Sequence, residues 1–170
     1  MVSRVIPVDP FDLVIFGGTG DLARRKILPG LFRHFCAGQM PDTSRIIGAA
    51  RTEMDKTGYR EMVREAIAEF NADFAHEKHQ LDAFLERLDY VAIDAKGEDG
   101  WAALQQLMAG SDRIEAYYFS VSPSLFGDLA ERLQQWGMAD AQSRIVVEKP
   151  FGRDLQTAQA LNATLANYFD

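Results

Sequence analysis

A glycine-rich turn is the first feature of the sequence that could do chemistry. Gly17, Gly20 and Ala23 lie three residues apart and follow the apolar run DLVIF. In a dinucleotide-binding turn, one glycine makes the tight turn out of the strand, a second lets the backbone approach a phosphate, and a third small residue lets the helix pack closely. The amides of residues 19–22 would face an anion at the positive end of the helix dipole. The pattern favours a nucleotide site over a plain glycine-rich turn, and no G-K-[ST] follows it, which argues against a P-loop.

The helix after this turn begins with the cations Arg24, Arg25 and Lys26. They oppose the helix dipole, which indicates either attraction for an anion or, more simply, a solvated basic face. Asp21 suits the dipole at this end and can cap free amides. Pro29 falls inside the helical pattern and predicts a kink, because the carbonyl of Arg25 loses its partner.

Arg51 follows the predicted second strand, where NAD-binding domains place an Asp or Glu that bonds the ribose 2′-hydroxyl. A guanidinium cannot accept that bond but pairs well with a 2′-phosphate. Arg51 therefore favours NADP, with a surface arginine at a strand end as the alternative. Its separation from Gly20 is 31 residues, longer than the roughly 20 of the compact motif, and the stretch CAGQMPDTS accounts for the difference.

The stretch EKPFG, at the end of the predicted fifth strand, is the third candidate for chemistry. Lys149 brings a cation on a flexible stem, which can orient a substrate hydroxyl or phosphate. Pro150 is able to take a cis bond that would aim Lys149 inward. The alternative is an ordinary Lys-Pro turn that ends a strand.

Short apolar runs alternate with longer segments of helical periodicity, and these elements must position the candidate residues. The runs are near-continuous, as in strands covered on both faces. We predict a doubly wound α/β domain with a Rossmann-like parallel sheet, helices on both faces, and ligands beyond the carboxyl ends of the strands. The predicted strands are Asp12–Phe16, Arg45–Ala50, Asp89–Ile93, Ile114–Val121 and Arg144–Glu148.

Helices are predicted at Thr57–Phe74, at His76–Leu88, in GWAALQQLMAG, in SPSLFGDLAERLQQWG, and from about Asp154 onward. In the fourth of these, Ser124 is the predicted N-cap and Gly137 the predicted end.

The composition limits the class of protein. A chain of 170 residues with 47% hydrophobic residues suits one domain with its own core. The net charge of -7 makes nucleic acid a poor partner, so any bound anion needs a local cluster of cations and amides. No apolar run approaches the roughly 18 residues of a membrane span, and no signal-peptide pattern is seen, so a cytoplasmic location is expected. Cys36 is interpreted as a small core residue, and no metal site is expected.

The motifs together resemble the coenzyme-binding domain of the glucose-6-phosphate dehydrogenase family. The resemblance rests on FGGTGDLARRKILPGLF, RIIGAAR, YYFSVSPSLFG and VVEKPFGRDL, which occur in the family's order between Val14 and Leu155. It implies NADP as cofactor and hydride transfer from C1 of β-D-glucose 6-phosphate. The products would be 6-phosphogluconolactone and NADPH, in the first oxidative step of the pentose phosphate pathway.

The resemblance also implies roles for individual residues. Arg51 would bind the 2′-phosphate, while Asp94 and Ala95 would border the cofactor. Ser122, within SVSP, would lie near the nicotinamide side. Lys149 would contact both substrate and nicotinamide, and Pro150 would take a cis bond. The residues implied in pyrophosphate binding are Gly17, Gly18, Thr19, Gly20, Asp21 and Leu22.

The family's catalytic stretch, R-I-D-H-Y-L-G-K-E, does not occur in this sequence, so no catalytic residue is assigned. His34, His76 and His79 lie in helical patterns outside the crevice segments. We therefore expect residues 1–170 to form the NADP-binding N-terminal domain, without the C-terminal substrate domain, and to show no turnover alone. The full-length enzyme is expected to bind glucose 6-phosphate and to be a homo-oligomer through that second domain, with neither nucleic acid nor membrane as a partner.

Two other functions remain open from the sequence. A sugar oxidoreductase of the glucose–fructose oxidoreductase type also carries E-K-P after its fifth strand, but it normally has G-x-G-x-x-G. A Rossmann module that senses NADP without catalysis would also lack a base.

Overall fold

The computed structural model describes residues 10–38, 40, 43–70, 78–109, 114–138 and 144–147. Within them, five parallel strands form one sheet in the order β3-β2-β1-β4-β5. Each strand begins and ends within two residues of its predicted bounds. Glu148, the predicted end of the fifth strand, lies outside the described residues. The strands are β1 (Phe11–Phe16), β2 (Arg45–Ala50), β3 (Leu88–Ala92), β4 (Ile114–Phe119) and β5 (Arg144–Val147).

Helices connect the strands, as the alternating pattern predicts. The predicted helix Thr57–Phe74 is described as far as Phe70. The next predicted helix ends at Leu85 rather than at Leu88, because Leu88 begins β3. The segment after Asp154, and with it the last predicted helix, lies outside the described residues. The helices are α1 (Leu28–Cys36), α2 (Lys56–Phe70), α3 (Lys78–Leu85), α4 (Trp101–Met108) and α5 (Phe126–Gln135).

Both faces of the sheet are covered, which confirms the predicted doubly wound α/β fold. Alternate side chains of β1 point to opposite faces: Leu13 and Ile15 pack with residues of α1, α2 and α3, while Val14 and Phe16 pack with residues of α4 and α5. Cys36 lies half-buried against the first of these clusters. Within the described ranges, no helix combines the length and apolar composition needed to cross a membrane.

Pro29 disrupts the helix after β1, but in a different form from a simple kink. The residues Ala23–Ile27 form a π-helical segment, in which the Leu28 amide donates to the Ala23 carbonyl five residues earlier. Pro29 lies in the first turn of α1, where its missing N–H costs little. The wider π-turn absorbs the mismatch that the proline ring would otherwise create with the preceding carbonyl.

The predicted N-cap of α5 is wrong, whereas the predicted end of this helix is confirmed. Ser124 lies within a 3₁₀ turn at Pro123–Leu125, and Leu125, which makes no side-chain capping bond, precedes α5. The 3₁₀ turn therefore replaces the side-chain cap. Gly137 takes a φ of 70° and its amide donates to the carbonyl of Gln134, as expected for a glycine just past a helix.

An ion pair fixes the amino ends of β1 and β2. The guanidinium of Arg45 donates to both carboxylate oxygens of Asp12, at 3.0 and 3.1 Å, and also to the Leu107 carbonyl at 2.9 Å. The hydrogen bond to Asp12 raises the pKa of Arg45 against the opposing effect of burial. Since Asp12 is fully buried, this pair satisfies a charge that would otherwise be costly in the core.

The contact between Gly48 and Tyr59 joins β2 to α2. A Cβ at Gly48 would lie 2.3 Å from Cζ of the Tyr59 ring, so only glycine lets the ring approach the strand this closely. We predict that Gly48→Ala lowers the free energy of unfolding by about 1–3 kcal/mol, the usual cost of overpacking a core. Urea denaturation measures this change.

The matched control is Gly58→Ala, in the first turn of α2. Its Cβ would meet the Asp55 carboxylate at 3.2 Å, on an exposed side chain that accepts the Gly58 amide at 2.7 Å. The free energy of unfolding should change by less than about 1 kcal/mol there. If Gly48→Ala is equally harmless, the Tyr59 ring does not rest against β2.

Candidate functional site

The turn after β1 is closed by backbone contacts with both neighbouring strands. Phe16, the last residue of β1, lies opposite Ala49 of β2 and Phe119 of β4. The Gly17 amide donates to the Ala49 carbonyl at 2.8 Å, and the Ser120 amide donates to the Phe16 carbonyl at 2.9 Å. Gly17 has a φ of 84°, and a Cβ there would lie 2.1 Å from the Ser120 carbonyl oxygen. Both conformation and space therefore require glycine at this position.

Gly18 and Gly20 differ from Gly17 in the contacts that surround them. The Gly18 amide donates to the Ala49 carbonyl at 3.3 Å, and its own carbonyl accepts the Tyr59 hydroxyl at 3.1 Å. The Gly20 amide donates to the Gly17 carbonyl, and the Gly20 carbonyl accepts the Arg24 amide. A Cβ at Gly20 would meet only the Gly17 carbonyl, at 3.2 Å, and its φ is not in the left-handed region. The protein itself therefore has little need of glycine at position 20.

The other predicted residues of the turn have mixed surroundings. Thr19 lines a cavity, whereas Leu22 is half-buried and packs against the core. The exposed Asp21 carboxylate pairs with Arg25 at 2.7 Å, and that guanidinium lies 5.2 Å from the centre of the Phe70 ring. Arg25 is thus engaged in local contacts, and the predicted capping of amides by Asp21 is replaced by an ion pair.

A cavity of about 230 Å³ opens at the carboxyl ends of the strands. Its walls are largely apolar and combine the glycine turn with the ends of β2 and β3 and with the region before α5. Such a surface suits a flat aromatic ring with a few polar anchors at its edge. The lining residues are Phe16, Gly17, Thr19, Ala49, Ala50, Arg51, Thr52, Ile93, Ala95, Val121, Leu125 and Leu129.

Arg51 lies at the junction of this cavity with a second one of about 180 Å³, lined also by Glu53, Asp94 and Asp99. Its side chain is exposed, and within the described part of the chain it makes no hydrogen bond or ion pair. The guanidinium is therefore available to an anion, and its pairing with a 2′-phosphate stays a prediction.

Two stacked tyrosines bond backbone carbonyls of this site, and neither was among the predicted site residues. The rings of Tyr59 and Tyr90 have centroids 4.9 Å apart and an interplanar angle of 30°. Burial raises the pKa of Tyr59, and the neighbouring Tyr90 makes a smaller contribution in the same direction. Burial also raises the pKa of Tyr90, to about 12, with a smaller contribution from the Glu53 carboxylate. Both hydroxyls therefore keep a proton to donate at neutral pH. No motif marks them, because they meet only through the order of the strands.

The predicted residues after β3 and β4 border the same edge of the sheet. Ala95 lines the larger cavity and Asp94 the smaller one. The Asp94 carboxylate accepts the Lys96 amide at 3.0 Å, and its carbonyl accepts the Trp101 indole N–H at 2.9 Å. The exposed Ser122 hydroxyl lies 3.0 Å from that of Ser124, outside the cavity lining.

Lys149 and Pro150 lie outside the described residues, as does His76. His34 and His79 are described, and neither lines the two cavities. Among the described residues, no group of three His, Cys, Asp or Glu side chains is arranged to hold a metal ion.

The fold and its cavity define the class of protein: a doubly wound α/β domain with a cavity at the carboxyl edge of its parallel sheet, where domains of this class hold their ligands. The sequence profile of the family described as "Glucose-6-phosphate dehydrogenase, NAD binding domain" matches residues 14–170. The chain belongs to this family. The resemblance is thereby confirmed, and the alternative of a glucose–fructose oxidoreductase type is set aside.

Named relatives and solved structures agree with this assignment. The chain is 43% identical to glucose-6-phosphate 1-dehydrogenase of Rhizobium meliloti over 170 residues, which is 99% of this chain and 35% of the relative. Its identity to the Gluconobacter oxydans enzyme is also 43%, covering 95% of this chain and 34% of the relative. The crystal structure of the Mycobacterium avium enzyme matches with a TM-score of 0.86 at 32% identity, over 96% of this chain and 35% of that one. The chain thus spans about a third of the length of the relatives it matches.

Substitutions at Gly17 and Gly20 should separate the folding role of the turn from its binding role. We predict that Gly17→Ala lowers the free energy of unfolding by about 3 kcal/mol or more, through left-handed strain and a clash with a backbone carbonyl. Gly20→Ala should change it by less than about 1 kcal/mol. Thermal denaturation of both variants tests this difference.

Gly20→Ala should instead weaken binding of NAD and NADP alike, by about tenfold, because a methyl group would keep phosphate from the backbone. Calorimetric titration measures both affinities. Unchanged affinity for both coenzymes would exclude a phosphate from the face of the turn at Gly20.

Proposed function

We propose that residues 1–170 form the coenzyme-binding domain of an NADP-dependent glucose-6-phosphate dehydrogenase. The single observation that supports NADP best is Arg51, which lies at the cavity edge with a guanidinium that bonds no other described residue. A guanidinium offers several donors in a planar fork that matches a phosphate, and it has no acceptor for a ribose hydroxyl. The 2′-phosphate that distinguishes NADP from NAD is the group this side chain suits.

The surroundings of Arg51 fit the remainder of such a coenzyme. The amides after Gly17 stand at the start of a helix, where phosphates are commonly held. The apolar walls from Phe16, Ile93 and Leu125 suit a flat ring. In this proposal Gly17, Gly18, Thr19, Gly20, Asp21 and Leu22 surround the pyrophosphate, and Asp94, Ala95 and Ser122 border the coenzyme. Lys149 contacts nicotinamide and substrate.

The chemistry that NADP supplies when bound is acceptance of a hydride, here from C1 of glucose 6-phosphate to give 6-phosphogluconolactone. A structure of a family member was solved with glucose-6-phosphate as its substrate, and it matches with a TM-score of 0.81 at 29% identity. This chain's own part in the proposal is to bind and orient the coenzyme and to keep water from its ring by the apolar walls.

Removal of the sugar hydroxyl proton needs a base within hydrogen-bond reach. The described histidines, His34 and His79, do not line the cavities, and no other group is assigned this role. We therefore propose that these residues bind coenzyme but do not complete the reaction by themselves.

Arg51→Ala tests the choice of coenzyme. We expect NADP to bind about tenfold more weakly or worse, as when a charged hydrogen bond is lost, and NAD to bind nearly as before. Isothermal titration of each coenzyme measures the two affinities. Arg64→Ala, on the exposed side of α2, is the control and should change neither. Equal losses of NADP and NAD at Arg51→Ala would remove the 2′-phosphate from this proposal.

The absence of turnover is tested directly. The 170-residue chain, supplied with NADP and glucose 6-phosphate, should produce no NADPH above the rate without protein, because neither described histidine lines a cavity where it could take the sugar proton. The Rhizobium meliloti enzyme, assayed under the same conditions, provides the positive control. NADPH formation that depends on both the chain and the sugar phosphate would contradict the proposed division of roles.

A further inference from the structure

A pair of tyrosines connects the glycine turn to the backbone that carries Arg51. Tyr59 is fully buried and Tyr90 is 7% exposed. Their rings stack, and each hydroxyl leaves the stack toward a different part of the site. The Tyr59 hydroxyl donates to the Gly18 carbonyl at 3.1 Å. The Tyr90 hydroxyl reaches the backbone on either side of Arg51.

The two contacts of Tyr90 are unequal. Its hydroxyl lies 2.6 Å from the Thr52 carbonyl oxygen and 3.3 Å from that of Ala50. The Ala50 carbonyl already accepts the Ile93 amide at 2.7 Å. The Tyr90 hydroxyl therefore donates its single proton chiefly to the Thr52 carbonyl. Thr52 lies beyond the last residue of β2, where the strand's own hydrogen bonds end.

This bond to the backbone matters because no described residue holds the Arg51 side chain itself. The guanidinium is exposed and makes no contact with another described polar side chain, so its direction depends on the backbone that carries it. Arg51, Thr52 and Glu53 lie between β2 and α2, in a segment without regular secondary structure. The Tyr90 hydroxyl anchors the middle of this segment.

We propose that Tyr90 is a positioning residue for coenzyme selection: its hydroxyl holds the Arg51 backbone where the guanidinium meets a 2′-phosphate. Tyr59 plays the parallel role for the glycine turn, where the group held is the pyrophosphate common to NAD and NADP. This inference rests on the proposed function. Because the two hydroxyls act on different parts of the coenzyme, their removal should have different signatures.

Tyr90→Phe and Tyr59→Phe form a matched pair, since each removes one hydroxyl and keeps the stacked rings. For Tyr90→Phe we expect NADP affinity to fall about fivefold, the usual effect of one hydrogen bond, while NAD affinity changes less than about twofold. For Tyr59→Phe we expect both affinities to fall by a similar factor. Titration of both coenzymes on both variants of the chain measures the ratio. A Tyr90→Phe variant whose NADP and NAD affinities fall equally, or do not fall, overturns the proposal.

A double-substitution cycle shows whether Tyr90 acts through Arg51. In the Arg51→Ala background, adding Tyr90→Phe should weaken NADP binding no further. A second loss equal to that of the single variant would mean that Tyr90 acts by another route. If Arg51→Ala itself leaves coenzyme preference unchanged, the proposed function fails, which is a result distinct from failure of the tyrosine inference.

Backbone dynamics test the positioning without any coenzyme. In Tyr90→Phe, the NMR order parameters of the amides of residues 51–53 should fall below those of the parent chain, while those of β1 and β4 stay unchanged. Tyr59→Phe serves as the control and should leave the order parameters of residues 51–53 as in the parent chain. Unchanged order parameters at these amides in Tyr90→Phe would show that the hydroxyl does not hold the segment.

Discussion

The site depends on one carbonyl group, that of Ala49. It accepts the amides of both Gly17 and Gly18 and so fastens the turn after β1 to the end of β2. On the other side, Gly17 lies so close to Ser120 that no side chain fits between them. The first strand is thus held between its neighbours at the point where it ends. The glycine turn, the cavity and the start of the following helix all take their positions from this closure.

The charge of the site is a local arrangement within an acidic chain. The protein carries a net charge of -7, and Glu53, Asp94 and Asp99 share a cavity wall with Arg51. A phosphate approaching this wall meets carboxylates as well as a guanidinium. In the proposed function, short-range hydrogen bonds and helix-terminal amides outweigh the general field of the protein. The choice of coenzyme then depends on a single arginine rather than on the overall charge of the chain.

Much of the fold could be predicted from local pattern. The near-continuous apolar runs indicated strands buried on both faces, and the structure has such strands with helices on each side. The turn role assigned to Gly17 agrees with its φ of 84° and its contact with Ser120. The site residues as a set remain predictions.

Other features depend on contacts that a linear pattern does not contain. Ser124 has the chemistry of an N-cap, but a 3₁₀ turn begins the helix instead. Tyr59 and Tyr90 are 31 positions apart, and only the placement of β3 beside β2 brings their rings together. The packing of an aromatic ring against Gly48 can be recognised only once α2 is placed on the sheet. Register and packing, rather than residue type, decide these points.

The exposure of the Arg51 side chain has an entropic consequence. The Tyr90 hydroxyl bonds the carbonyl of the next residue, Thr52, whereas the Arg51 guanidinium is exposed at the edge of both cavities. An anion captured there must select one rotamer from many, which costs up to about 2 kcal/mol for an arginine. With the backbone held by Tyr90 as proposed, that cost falls on the side chain alone. The segment is then preorganised in its main chain and adaptable in its side chain.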